Sequence, residues 1–208
     1  MSKTIGIIAF DRVLTAEVIG PAEVFGMAAA SDWFAGAKVL IIGVEPQPTI
    51  RTEEGIRIQV DATIADDVQL DVLLVPGGND VSHLIENPQL NAFIRKHEAA
   101  AEWVGSMCAG AFVLGGAGVL DGKQATTWFG GETRLQAQFP AIQVVHDRPV
   151  VLDQRRITAN GGLVSYRAAL VLLAQLTSLA HAHEVYQGLG LARLGTWEDI
   201  EATVVGVN

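Results

Sequence analysis

The stretch Trp103-Val104-Gly105-Ser106-Met107-Cys108-Ala109-Gly110-Ala111-Phe112-Val113-Leu114 decides how this sequence is read. An apolar run reaches a cysteine flanked two residues on either side by the small Ser106 and Gly110, and a helical pattern begins at once. This is the signature of a nucleophile elbow, a sharp strand-to-helix turn that strains the nucleophile's backbone and accepts only small neighbours at those offsets. The thiol then faces the mouth of a sheet. There the unpaired amides and dipole of the following helix favour a thiolate and lower the thiol pKa. A buried structural cysteine, the commoner state of a free thiol, fits the same residues.

The surroundings place this turn in an α/β fold. Trp103 to Leu120 is free of charge and approaches the roughly 18 residues at which a membrane span must be considered. Gly105, Ser106, Gly110, Gly115, Gly116 and Gly118 interrupt it, and acidic Glu102 and Asp121 flank it where a span favours basic and aromatic anchors. A buried strand, turn and helix is therefore expected, with no membrane partner. Thr4–Phe10, Val39–Val44, Val72–Val75 and Trp103–Gly105 are continuous apolar runs, the pattern of strands covered on both faces. Helical patterns lie between and after them at Ala16–Ala30, Asn87–Ala100, Ala109–Ala117, Gly131–Gln138 and Val164–Tyr186. Asn87-Pro88 supplies a cap and a first helical position. Such alternation predicts a mostly parallel sheet between helical layers. Ile50–Val60 and Val150–Ala159 read as β-ribbons added at its edges, while Gly188–Asn208 has only weak periodicity.

Composition narrows the function classes. The chain has 208 residues, 23 acidic against 14 basic, for a formal charge of −9, and a single cysteine. One domain over 1–208 is the expected organisation for this length and apolar content. The acidic balance argues against a nucleic-acid surface, which needs Lys and Arg to displace phosphate counterions. A lone cysteine forms no internal disulfide, and a start of Met1-Ser2-Lys3 running into a strand reads as cytoplasmic.

Three further segments carry candidate chemistry. Leu73-Leu74-Val75-Pro76-Gly77-Gly78-Asn79-Asp80 ends a buried strand in a Gly-Gly turn, at the sheet end where open α/β folds bind ligands. The Gly77 or Gly78 amide, with that of Ala109, is a candidate oxyanion hole; a plain strand-to-helix connection is the alternative. In Thr15-Ala16-Glu17-Val18-Ile19-Gly20-Pro21, Thr15 is a candidate helix cap. Glu17 either complements the helix dipole or points at Cys108, where burial would raise its pKa and make it a proton donor. His181 and His183, two residues apart, fall on different sides of a helix and suit no metal site, so they read as solvated surface. His83 sits nearer the Gly-Gly turn, in an exposed loop, and His97 reads as a solvated helix end.

Taken in order, Glu17–Phe25, Val75–Gly78, the Cys108 elbow, Ala125-Thr126-Thr127 and Thr158-Ala159-Asn160-Gly161-Gly162 resemble the motifs of the ThiJ/PfpI superfamily, over nearly the whole chain. Gly20–Phe25 and Gly116–Gly122 are similar to its isonitrile hydratase-like and regulator-like branch. The resemblance implies a flavodoxin-like, three-layer α/β sandwich, also called class I glutamine amidotransferase-like. It further implies a homodimer and a reactive elbow cysteine hydrogen-bonded to an acid at Glu17; no cofactor or metal is expected. Many members carry a histidine where this chain has Trp128, so the base of a Cys–His pair is missing. Trp128 then fills core or walls the pocket beside Cys108. Isonitrile hydratases carry threonine and two aspartates where this chain has Ala109, Arg167 and Glu17. Arg167 is expected to pair with an acid or to bind an anion. Regulator members append a helix-turn-helix module for which these residues leave no room. Two readings follow. One is a small-molecule enzyme, hydratase- or hydrolase-like, in which Cys108 attacks and Glu17 handles the proton. The other is a redox-responsive or ligand-binding protein whose Cys108 oxidises to sulfinate.

Overall fold

The computed structural model describes residues 3–194. Strand β1 (Thr4–Ala9) leads into helix α1 (Thr15–Ala29), then β2 (Lys38–Gly43). A small hairpin, β3 (Thr49–Arg51) and β4 (Arg57–Gln59), precedes β5 (Ala62–Thr63) and β6 (Val72–Val75). After the short α2 (Ser82–Ile85) come α3 (Pro88–Ala100), β7 (Trp103–Met107) and α4 (Gly110–Gly116). Next are β8 (Gln124–Ala125), α5 (Glu132–Gln138), β9 (Gln143–Val144), β10 (Val150–Asp153), β11 (Arg156–Ala159), α6 (Val164–Leu176) and α7 (Leu179–Gly188).

Seven strands form one sheet in the order β10-β11-β7-β6-β1-β2-β5. Every neighbouring pair is parallel except β10 with β11. The chain steps from β1 to β2 in one direction and from β6 to β7 in the other. Right-handed crossovers therefore put α1 and α3 on opposite faces. Helices α1, α6 and α7 pack together as one layer, and α3 packs with α4 in the other. The result is the expected three-layer α/β sandwich with a mostly parallel sheet. All residues of β6 and β7 are buried, and the β1–β6 junction, where the strand order reverses, is the crevice in which such sheets bind ligands.

Several local expectations change. The helical pattern Val164–Tyr186 is two helices. Thr177 leaves helical geometry (φ −136°, ψ −89°), its hydroxyl donates to the Leu173 carbonyl at 2.6 Å, and Ser178 caps α7 by accepting the His181 amide at 3.2 Å. Apolar periodicity continues through that break and so hides it. The β10–β11 ribbon does extend the sheet edge, but β3–β4 forms a separate two-stranded sheet. Its Glu54 carboxylate accepts the Thr15 amide at 3.1 Å, so a distant acid, not the Thr15 side chain, satisfies the start of α1. His97 is buried, not solvated, with its ring nitrogens 2.9 Å from the Phe93 carbonyl and 3.2 Å from that of Val68. His181 is half-buried and stacks on Trp33 at 4.1 Å. Among the described residues no helix is long and apolar enough to cross a membrane. Of the weakly periodic stretch at the end, residues 195–208 lie outside the described residues.

Candidate active site

The elbow forms because β7 ends at Met107 and α4 starts three residues later. Cys108 between them has φ +51°, a left-handed conformation that costs a residue with a β-carbon about 1–2 kcal/mol. Three contacts hold it there. The Cys108 amide donates to the Ala159 carbonyl at 2.8 Å, the Cys108 carbonyl accepts the Thr127 hydroxyl at 2.8 Å, and Asn160 Nδ2 donates to the Thr127 carbonyl at 2.5 Å. Thr126 is anchored in turn by its amide on the Thr158 hydroxyl. Thus the Ala125–Thr127 and Thr158–Gly162 segments buttress the turn that carries the thiol. Gly110 is required sterically, since a β-carbon there would sit 1.9 Å from the Val75 carbonyl oxygen.

Glu17, in the first turn of α1, is 1% exposed. Its Oε2 accepts the Gly77 amide at 2.6 Å and its Oε1 the Gly162 amide at 3.2 Å, while its carboxyl is a hydrogen-bond partner of the Cys108 thiol. The carboxyl therefore serves the elbow and not the dipole of its own helix. Burial pushes its pKa above the usual carboxylate value, opposed by the two amides and the thiol. Burial first, and then the Glu17 charge, push the Cys108 thiol up to about 12, against the Ala109 amide that donates to the sulfur. This reverses the lowering expected from a helix terminus: α4 is short, and a half-buried sulfur beside a carboxylate loses more from desolvation and repulsion than it gains from one amide. Near neutral pH the thiol therefore keeps its proton on sulfur, beside the Glu17 carboxyl.

Cys108 opens into a cavity of about 430 Å³. Gly78, Ala109 and Trp128 line it with Cys108, as do Phe112, Asp80 and Arg134. Trp128 stacks on Phe112 with ring centroids 5.0 Å apart, and Gly131 makes room for it, because a β-carbon there would meet the indole at 2.2 Å. Trp128 is thus a wall of the cysteine cavity, partly buried against the core.

Of the residues singled out from sequence, Cys108, Glu17, Gly77, Gly78, Ala109 and Trp128 converge at the ends of β1, β6 and β7. Gly77 takes a different role from the one expected: its amide is spent on Glu17 and is unavailable to an oxyanion. The Gly78 amide has no acceptor among the described residues and borders the cavity. Arg167 lies elsewhere, in an apolar groove between α6 and α7, and has no ion-pair partner within 4 Å among the described residues. His83 is exposed and does not line the cavity. Sequence reasoning missed Arg134, which no motif marks, gave no role to Asp80 at the end of the Gly-Gly segment, and missed the Gly161–Gly162 backbone that seats Glu17. The positive φ of both glycines was foreshadowed only by their being glycine.

The sequence model of the DJ-1/PfpI family matches residues 3–175. Isonitrile hydratase from Pseudomonas putida is 34% identical over 185 residues, which span 89% of this chain and 77% of that protein. Among solved structures, a ThiJ/PfpI family protein from Pseudomonas syringae superposes with a TM-score of 0.80 at 26% identity, covering 91% of this chain and 75% of that one. Drosophila melanogaster DJ-1beta gives a TM-score of 0.80 at 26% identity, over 91% and 98%.

Proposed function

This chain belongs to the DJ-1/PfpI family, and from that premise we propose that it is a cysteine-dependent small-molecule enzyme of the isonitrile hydratase type with an altered pocket. The buried Glu17–Cys108 pair at the foot of the cavity carries the reading. A thiol held at high pKa needs a base at the moment of attack, and a carboxyl whose own pKa is raised by burial is suited to take the proton and return it.

On an isonitrile the steps balance as follows. Sulfur bonds to the terminal carbon while the thiol proton passes to Glu17. Glu17 returns that proton to the same carbon, giving a thioimidate. Water adds across its C=N bond, the C–S bond breaks, sulfur regains a proton, and an N-substituted formamide leaves. The Ala109 amide steadies the sulfur, and the Gly78 amide is free to hold the oxygen that water brings. Ala109 and Trp128, which line the cavity at altered positions, support a substrate different from that of the Pseudomonas putida enzyme. In an isonitrile panel with formamide detection, Cys108→Ser should abolish turnover and Glu17→Ala should nearly do so. Turnover that survives both substitutions overturns the mechanism.

Trp128 in place of a histidine favours a second reading, in which Cys108 senses peroxide. Two equivalents of peroxide convert the thiol to sulfinate with release of two waters, and a protonated Glu17 then donates to a sulfinate oxygen. Mass spectrometry after mild peroxide should show a product 32 Da heavier that persists; a thiol that stays reduced or runs on to sulfonate excludes it. In either reading residues 1–208 act as one domain and pair as a homodimer, which light scattering on the purified protein tests.

A further inference from the structure

Taking the enzyme reading of this cavity as its basis, we propose that the substrate carries a carboxylate and that Arg134 reads it. Arg134 lines the cavity, and its guanidinium carbon lies 5.6 Å from the centre of the Phe112 ring. No carboxylate lies within ion-pairing distance of it among the described residues, although acids outnumber bases in this chain. Arg12 and Arg156, by contrast, are paired with Glu53 and Glu98. The exposed Arg134 guanidinium rests over the Phe112 ring, a contact that leaves its five N–H donors for a ligand. Asp80 also borders the cavity, but Ser82 donates to it through both amide and hydroxyl, at 2.9 and 2.6 Å. Asp80 is thus engaged by Ser82 and does not pair with Arg134.

The single cysteine allows a test that needs no turnover. N-carboxymethylmaleimide places its carboxyl carbon four bonds from the alkene carbon that a thiol attacks, and N-carboxypentylmaleimide places it eight bonds away. The rate of Cys108 alkylation by each acid is divided by the rate with its neutral carboxamide. In the native protein this ratio should reach about three- to ten-fold for at least one of the two probes. Arg134→Gln should bring that ratio to one or below, and Arg134→Lys should keep part of it; near-ultraviolet circular dichroism confirms the fold of each variant. Native ratios near one for both probes, or a preference that survives Arg134→Gln, overturn the proposal. Absence of isonitrile turnover would count against the enzyme reading and leave these ratios readable.

Discussion

Replacing Gly161 by alanine should damage this protein far more than replacing Gly162, although both glycines have positive φ, +86° and +56°. Each alanine bears the left-handed penalty of about 1–2 kcal/mol, partly offset by the roughly 0.4–1 kcal/mol that a less flexible unfolded chain returns. For Gly162→Ala nothing lies within 4 Å of the new methyl, so the net loss should stay near 1 kcal/mol. At Gly161 the methyl would land 2.3 Å from Glu17 Oε1 and 2.5 Å from the Cys108 β-carbon. Glu17 must then shift by about an ångström, stretching its bonds to the Gly77 and Gly162 amides. Hydrogen bonds to a charged group contribute about 1.5–3 kcal/mol each, so partial loss of both brings the total to about 3–5 kcal/mol. For a chain of this size that is a fall in Tm of roughly 10 °C, against about 3 °C for Gly162→Ala. Urea denaturation followed by circular dichroism measures both. Stabilities within about 0.5 kcal/mol of one another would show that the Gly161 backbone does not seat the Glu17–Cys108 pair, and the steric argument would fall.

Three other substitutions or conditions probe the same site. Glu17→Gln removes the charge that helps to raise the Cys108 thiol, so its pKa should fall from about 12 while burial keeps it above the ordinary thiol value. Thiolate absorbance against pH reads this, and a pKa that rises instead would mean that Glu17 is the protonated partner at rest. Because the folded protein holds the thiol proton up to about pH 12 and the unfolded chain releases it near 9, folding stability should decline as pH rises through that window. Cys108→Ser should lack that component, and urea midpoints that decline in parallel for both proteins would contradict it. Gly110→Ala forces a β-carbon to 1.9 Å from the Val75 carbonyl oxygen, backbone against backbone, so a loss of at least about 3 kcal/mol is expected. A melting curve like that of the unmodified protein would rule out the close strand-to-helix approach.

The architecture was legible because buried parallel strands leave an unmistakable trace. Val72–Val75 and Trp103–Met107 have no polar face to blur the pattern, and Asn87-Pro88 marks the start of α3 by capping chemistry that acts over three residues. What escaped notice depends on partners far away in sequence. His97 looks solvated between Lys96 and Glu98, yet helical rotation turns it inward onto the Val68 carbonyl, 29 residues away. The α6–α7 break falls in a continuous apolar pattern, because Thr177 and Ser178 end one helix and cap the next through hydroxyls that periodicity does not register.

By itself the sequence determined that a small-residue-flanked cysteine ends a buried strand, that an acid follows the first strand, and that a Gly-Gly turn follows a third. These are local patterns, and the sterics of a tight turn act over a few residues. Only the tertiary structure decided that the Gly77 amide serves Glu17 while the Gly78 amide borders the cavity, that Arg167 lies away from that cavity and Arg134 beside it, and that the resting thiol is raised and not lowered. Each of those outcomes rests on the distance and desolvation between groups 60 to 145 residues apart in some cases, set by how strands and helices converge at one end of the sheet.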